Sequence, residues 1–298
     1  MPLTPVHDHA WDLSPAGARA LQDRLSGQAE LRDRLGPIAL VAGIDVGFEA
    51  GGSVTQAAVA VLRTGDLQLA ESSLARRATG FPYVPGLLSF REIPAALDAL
   101  ASLHCVPDLL ICDGQGLAHP RRFGLACHLG WLLDLPTIGV AKSRLLGDFA
   151  EPPAERGAWT PLIDRGEVVG AAVRTRRGVK PVFVSPGHRV DVASAVRLAL
   201  ACTDRYSLPD PSRAAHRLAC SAERPPLAQV GRAVARPPQW RASVSLNARA
   251  RWQIASWCLR LLMPAKLRAS SSSIRCCGMS SCARAAVAPL PGSTSSKK

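Results

Sequence analysis

Short apolar runs alternate with stretches of helical periodicity and with Gly- and Pro-marked turns through the first 220 residues. Ser14-Pro15 suits a helix start, with Ser as N-cap and Pro in the first turn. Leu21, Leu25, Leu31 and Leu35 then predict an amphipathic helix that runs to the stop at Gly36-Pro37. Residues 38–46, 57–62 and 67–74 read as three strands of a small antiparallel meander. Two prolines hold residues 81–85, Phe-Pro-Tyr-Val-Pro, extended and stiff. Ser89 and Glu92 stand at capping-box spacing ahead of a helix that continues over 95–103. Residues 109–112 are a short apolar run of the length of a buried strand, and 136–141 are another. Between them a helix over 123–133 turns Leu125, Leu129 and Leu132 inward. Residues 151–159 read as a polar loop. A strand pair, 168–174 and 181–185, brackets the basic turn Arg176-Arg-Gly-Val-Lys180. Helices over 192–202 and 212–220 complete the pattern.

From about residue 221 the character changes. Ser270-Ser-Ser-Ser273, paired cysteines and scattered arginines indicate low complexity. Trp252 and Trp257 with residues 259–263 suggest at most one amphipathic helix, and the segment reads as mostly disordered or as an appendage. This boundary changes the meaning of the charge. The net charge of +13 resembles a nucleic-acid footprint, but residues 1–220 hold 23 Lys and Arg against 22 Asp and Glu. The excess therefore sits in the tail, and the pI says little about what the folded part binds. Nine cysteines form no CxxC pair and no zinc spacing. No signal pattern and no membrane-length apolar stretch appear. A reduced, cytosolic chain is expected.

The chemistry gathers around Asp113-Gly-Gln-Gly-Leu-Ala-His119-Pro-Arg-Arg122. A carboxylate at the carboxyl end of a buried strand, followed by glycines, is where open α/β sheets place their ligands. His119, Arg121 and Arg122 add donors suited to phosphate. Asp45 sits near the end of another apolar strand. If the two strands are neighbours, Asp45 and Asp113 converge and repel, and a hard cation such as Mg²⁺ relieves that while staying open to phosphate oxygens. Glu92 and His188 are candidates to complete the site, and Lys142 to stabilise phosphate charge. Each has a plain structural reading beside the functional one: turn formers for the aspartates, a helix cap for Glu92, a satisfied loop histidine for His188, a solvated end for Lys142, a core aromatic for Tyr83.

Taken together, Gly43-Ile-Asp45-Val-Gly47-Phe, residues 81–92 from Phe-Pro-Tyr to Arg-Glu, Asp113-Gly-Gln-Gly-Leu-Ala-His119-Pro-Arg-Arg, Gly139-Val-Ala-Lys142 and Gly187-His188-Arg189-Val resemble the endonuclease V family of deoxyinosine-specific endonucleases. The resemblance covers roughly residues 10–220 and shows no departure at the catalytic positions; the tail matches nothing in the family. It implies a ribonuclease H-like α/β fold with a mixed central sheet flanked by helices, residues 1–220 being the catalytic domain and 221–298 a basic extension. It implies Mg²⁺ (or Mn²⁺) on Asp45 and Asp113, Glu92 and His188 completing the site, and Lys142 by the scissile phosphate. Pro82, Tyr83 and Pro85 resemble a strand-separating wedge, and Leu88, Gly114, Gly124, His128 and Leu145 fall where a pocket for a flipped hypoxanthine would be lined.

The expected activity is a monomeric, Mg²⁺-dependent DNA repair endonuclease that cuts the second phosphodiester 3′ to deoxyinosine. Two alternatives stand beside it: a ribonuclease for inosine-containing RNA, since tolerance of the 2′-OH depends on groove shape, and a module that binds lesions without cutting. A third possibility is that the tail leaves the chain poorly folded.

Overall fold

The computed structural model describes residues 3–220 together with Leu227 and Ala228. The disorder expected over 221–298, and the helix suggested around Trp252, otherwise lie outside the described residues. The elements, in chain order, are α1 (Pro15–Leu25), β1 (Leu40–Glu49), β2 (Val54–Arg63), β3 (Leu69–Ala78), α2 (Leu88–Ala101), β4 (Leu109–Asp113), α3 (Leu125–Leu133), β5 (Thr137–Ala141), β6 (Trp159–Asp164), β7 (Glu167–Val173), β8 (Val182–His188), α4 (Val192–Ala201), α5 (Asp210–Ala219) and a two-residue β9 (Leu227–Ala228). They form one mixed sheet of order β6-β7-β8-β5-β4-β1-β2-β3-β9. Strands β1, β4 and β5 run parallel, and β2, β3, β6, β7 and β8 join by antiparallel pairing. This is the α/β architecture, with a mixed sheet between helices, that the resemblance implies.

The two-residue period of the central strands sorts the core into two layers. Ala42 and Ile44 of β1, Val59 of β2 and Leu110 and Cys112 of β4 pack with α1, α2 and α3. Val41, Leu109, Ile111, Ile138 and Val140 face the other way, against α4. Asp45 and Asp113 continue this second set, so both carboxylates leave the sheet on the same face. On that face α5 lies directly on β1. A Cβ at Gly43 would meet the Pro211 carbonyl carbon at 2.1 Å, so only a glycine lets this helix come so close.

Three expectations are corrected. First, α1 stops at Leu25 instead of running to Gly36. Leu21 and Leu25 pack with α2 and α3, Leu31 with Leu162 and Phe183, and Leu35 with α4. The helical spacing thus served three separate contacts, and the backbone of Glu30 is taken by Arg189 N and His188 Nδ1. Second, β6 occupies a stretch with no strand signal. It is an edge strand with only Leu162 buried, where Pro161 is tolerated because it has no partner on its outer side. Third, Ser89 does not cap α2: Leu87 is the N-cap, with no side-chain cap bond. Pro94 lies within the helix and does not end it.

Candidate active site

Register alone brings the first two carboxylates together. Ile44 of β1 pairs with Cys112 of β4 in a parallel ladder, so Asp45 and Asp113 follow as neighbours at the carboxyl end of the sheet. Asp113 in turn pairs with Val140 of β5. Lys142, two positions on and exposed, projects from the same face just past the strand end. Glu92 arrives from α2. It is only 7% exposed, and burial followed by the charges of Asp45 and Asp113 pushes its carboxyl up to about 8. Asp113 is likewise raised, first by burial and then by Asp45, while Lys142 and His216 act in the opposite sense. Three carboxylates from three elements thus crowd one sheet end, with Lys142, His216 and Arg91 only partly offsetting them.

His216 was not among the sequence candidates. It projects from α5, and its Nδ1–H donates to Asp45 Oδ2 at 2.8 Å. The position expected for His188 is wrong for a physical reason. His188 ends β8, pairs with Thr137 at the start of β5 and therefore sits at the opposite end of that strand from Lys142. Its Nδ1 accepts from Glu30 N at 3.1 Å, and its Nε2 faces Asp134 Oδ1 at 3.4 Å. Burial holds its pKa down, so it is a neutral, satisfied core histidine. A sequence reader had a histidine on a helix with no sign of what that helix touched; only the docking of Pro211 on Gly43 reveals its partner.

The segment expected to act as a wedge is exposed. Tyr83 is 72% exposed between exposed Pro82 and Pro85 at the carboxyl end of the sheet, where β3 leads into α2. Leu88 and Leu145 are also exposed. Gly114 follows Asp113 at φ +152°, a glycine conformation. Gly124 begins α3 so close to the 114–116 loop that a Cβ would stand 2.4 Å from Gln115 O. His128, by contrast, is withdrawn from any surface. It is fully buried, its Nε2 2.6 Å from His9 Nε2 and its Nδ1 3.0 Å from Ser89 Oγ. Burial and the neighbouring His9 hold its pKa well below the usual range.

The expected phosphate donors are also spoken for. His119 Nε2–H and Arg121 Nη2 both donate to Gly86 O, at 3.1 and 2.8 Å, and Arg121 Nε reaches Gln22 Oε1 at 2.6 Å. Burial, then Arg121, takes the His119 pKa down to about 4. Arg122 is paired with Asp164 and Glu167 at 2.8 and 2.7 Å. His119 and Arg121 thus brace the loop over 81–86 through Gly86 O. A cleft of about 190 Å³ lies between β3 and α2, lined by Trp11, Arg77, Phe81, Phe90, Arg91 and Asp98 among others, and includes none of Asp45, Glu92 and Asp113.

Among the described residues no three His, Cys, Asp or Glu side chains stand close enough to cage a cation unaided. Two carboxylates on an open strand end, with a third behind them, instead suit a cation that keeps several waters, as Mg²⁺ does. Burial, and after it the repulsion among the carboxylates, raises Glu92 and Asp113, and a bound cation would offset both.

Comparison with known proteins agrees with this geometry. The family model described as Endonuclease V matches residues 20–217. The endonuclease V of Azotobacter vinelandii is 56% identical over 219 residues, 74% of this chain and 98% of that protein. The crystal structure of endonuclease V from Streptomyces avermitilis superposes with a TM-score of 0.69 at 44% identity, covering 74% of this chain and 96% of that one. Endonuclease V of Ciona intestinalis, crystallised with a 24mer DNA containing an inosine followed by a ribo-adenosine, gives a TM-score of 0.61 at 26% identity, covering 69% of this chain and 95% of that one.

Proposed function

The chain belongs to the endonuclease V family and is a nuclease, a hydrolase acting on DNA, and from that premise we propose that it recognises deoxyinosine and cuts the second phosphodiester on its 3′ side with Mg²⁺ (or Mn²⁺) held by Asp45 and Asp113. The observation that carries this reading is the convergence of Asp45, Glu92 and Asp113 from β1, α2 and β4, electrostatically unsatisfied as a set. The lesion is supported by the inosine-containing DNA bound by the Ciona protein.

A cation bound there would polarise the phosphate and lower the pKa of an attacking water. The remaining work falls to this chain's side chains. His216 donates through Nδ1–H to Asp45 Oδ2, which fixes that carboxylate's orientation and leaves Nε2, 3.8 Å from the Cys220 thiol sulfur, as the nitrogen that exchanges a proton. Glu92, buried behind the aspartates, tunes their charge and supplies a second proton-accepting carboxylate. Lys142 lies where negative charge grows on the transferring phosphate. Tyr83, held stiff by Pro82 and Pro85, enters the duplex, while Leu88, Gly114, Gly124 and Leu145 receive the extruded base.

A nicking assay on a duplex with one deoxyinosine, with Mg²⁺ and with EDTA, tests the whole reading when the cut is mapped to the nucleotide. A Mg²⁺-dependent nick one nucleotide beyond the lesion is expected, and cleavage that persists in EDTA would sink the metal assignment. The ribo-adenosine in the Ciona complex favours a second reading, cleavage of inosine-containing RNA. Side-by-side rates on matched DNA and RNA decide between them.

A further inference from the structure

The turn joining β7 to β8 has no part in the site described above, yet it lies at the same edge. Ala141, the last residue of β5, pairs with Phe183, and Val182 pairs with Val173. Residues 174–181 therefore close at the end of the sheet where β4 and β5 present Asp113 and Lys142. Strands lie about 4.8 Å apart, so β8 and β7, second and third from β4, set the turn on the order of 10–15 Å to one side of Asp113.

The turn is braced. The buried Arg174 guanidinium donates to Val179 O, to Pro152 O at 2.8 Å and to Pro153 O at 3.2 Å, and pairs with Glu151. Gly178 N donates to Ala154 O at 2.9 Å, and Thr175 Oγ1 to Ser207 O at 2.7 Å. Arg176, Arg177 and Lys180 are exposed on this scaffold, and among the described residues their side chains enter no ion pair or hydrogen bond. Arg122 and Arg144, by contrast, are neutralised by Asp164 and Asp148. Even counting Glu155, beside Ala154, the turn carries a net positive charge in a domain that is close to neutral.

We propose that Arg176, Arg177 and Lys180 form a docking ridge for the sugar-phosphate backbone of the duplex flanking the cut. The contact is blind to sequence and to the lesion. Unpaired cations on a rigid turn meet fixed phosphates with little ordering cost, and they release counterions from the DNA on contact. The inference rests on the reading of the neighbouring site as a DNA-cutting one.

The test compares the full chain with its R176A/R177A/K180A variant, leaving Arg174 and its brace in place. Affinities are measured in EDTA across a salt series for a deoxyinosine duplex and a matched adenine duplex. The slope of log K against log salt should become shallower by about 2–3 on both, since each phosphate contact contributes about 0.9. The inosine-to-adenine ratio and the single-turnover cleavage rate at saturating enzyme should not change. Lys180→Glu alone should weaken both duplexes further than Lys180→Ala, with an unchanged melting temperature. Parallel salt lines for wild type and the triple variant would overturn the ridge, and so would a loss of inosine preference without a change in slope. If the wild type shows no inosine preference at all, the lesion assignment falls, while the adenine-duplex slopes still decide the turn.

Discussion

At the residue scale, the histidine beside the acidic cluster is His216, which the sequence does not single out, and not His188. His216 touches Asp45, and His188 is a buried neutral ring tied to Glu30 and Asp134. His216→Ala should therefore cut the single-turnover nicking rate with little change in melting temperature. His188→Ala should do the reverse, costing about 1–2 kcal/mol of stability through its lost buried hydrogen bonds while the rate per folded molecule holds. Equal rate losses in both variants would contradict the assignment. Asp113→Asn should lower nicking at least about a hundredfold yet retain binding of inosine DNA, as a gel shift would report. Asp113 is also the clearest case of a residue whose place is legible in the sequence: an acid ending an apolar run and followed by glycine announces a strand end.

At the element scale, the wedge loop is positioned from behind. His119 and Arg121 share the Gly86 carbonyl, and Arg121 also holds Gln22 of α1. The sequence showed basic residues beside a catalytic strand and suggested phosphate contacts; the folded loop turns them inward instead. Arg121→Ala should consequently weaken inosine recognition several-fold by loosening the wedge, with no change in the salt slope of binding. A shallower slope would return Arg121 to the phosphate backbone. Tyr83→Ala should lose about 1–3 kcal/mol of lesion discrimination if the ring stacks in the opened duplex, measured as the ratio of affinities for inosine and adenine duplexes. The helix α2 shows the same division. Its apolar spacing was readable, but the capping box was not real: Ser89 serves His128, and Glu92 is drawn into the site by the sheet beneath it.

At the scale of the whole molecule, the acidic site opposes the stability of the metal-free fold. The Glu92 carboxyl rises from 4.5 to about 8 on folding, so the folded state holds this proton more tightly than the unfolded chain does. Its contribution is complete below the unfolded value and is lost as pH climbs toward about 8. In EDTA the melting temperature should fall across that window. Glu92→Gln should flatten the fall and be more stable than wild type at pH 8, by on the order of 4–5 kcal/mol at about 1.4 kcal/mol per pKa unit. Mg²⁺ should stabilise the wild type more at pH 8 than at pH 5. A wild-type melting curve that does not vary with pH in EDTA would remove the repulsion on which the metal assignment leans. Among the described residues no helix is long and apolar enough to cross a membrane.

The sequence by itself determined the order of strands and helices apart from β6, the α/β class, and the local chemistry of the strand ends at Asp45 and Asp113. Those properties depend on neighbours along the chain: periodicity, turn residues, and prolines that fix their own backbone. It also carried the family, because five separate motifs stand in fixed order along the chain. Tertiary structure alone decided which of these elements meet. The parallel register of β1 on β4 joins Asp45 to Asp113, and the bare face of Gly43 admits α5 and so brings His216 to Asp45. The antiparallel run of β8 carries His188 away to the far end of β5. No local pattern holds that information, since strand order and direction are set by the packing of two cores on opposite faces of one sheet.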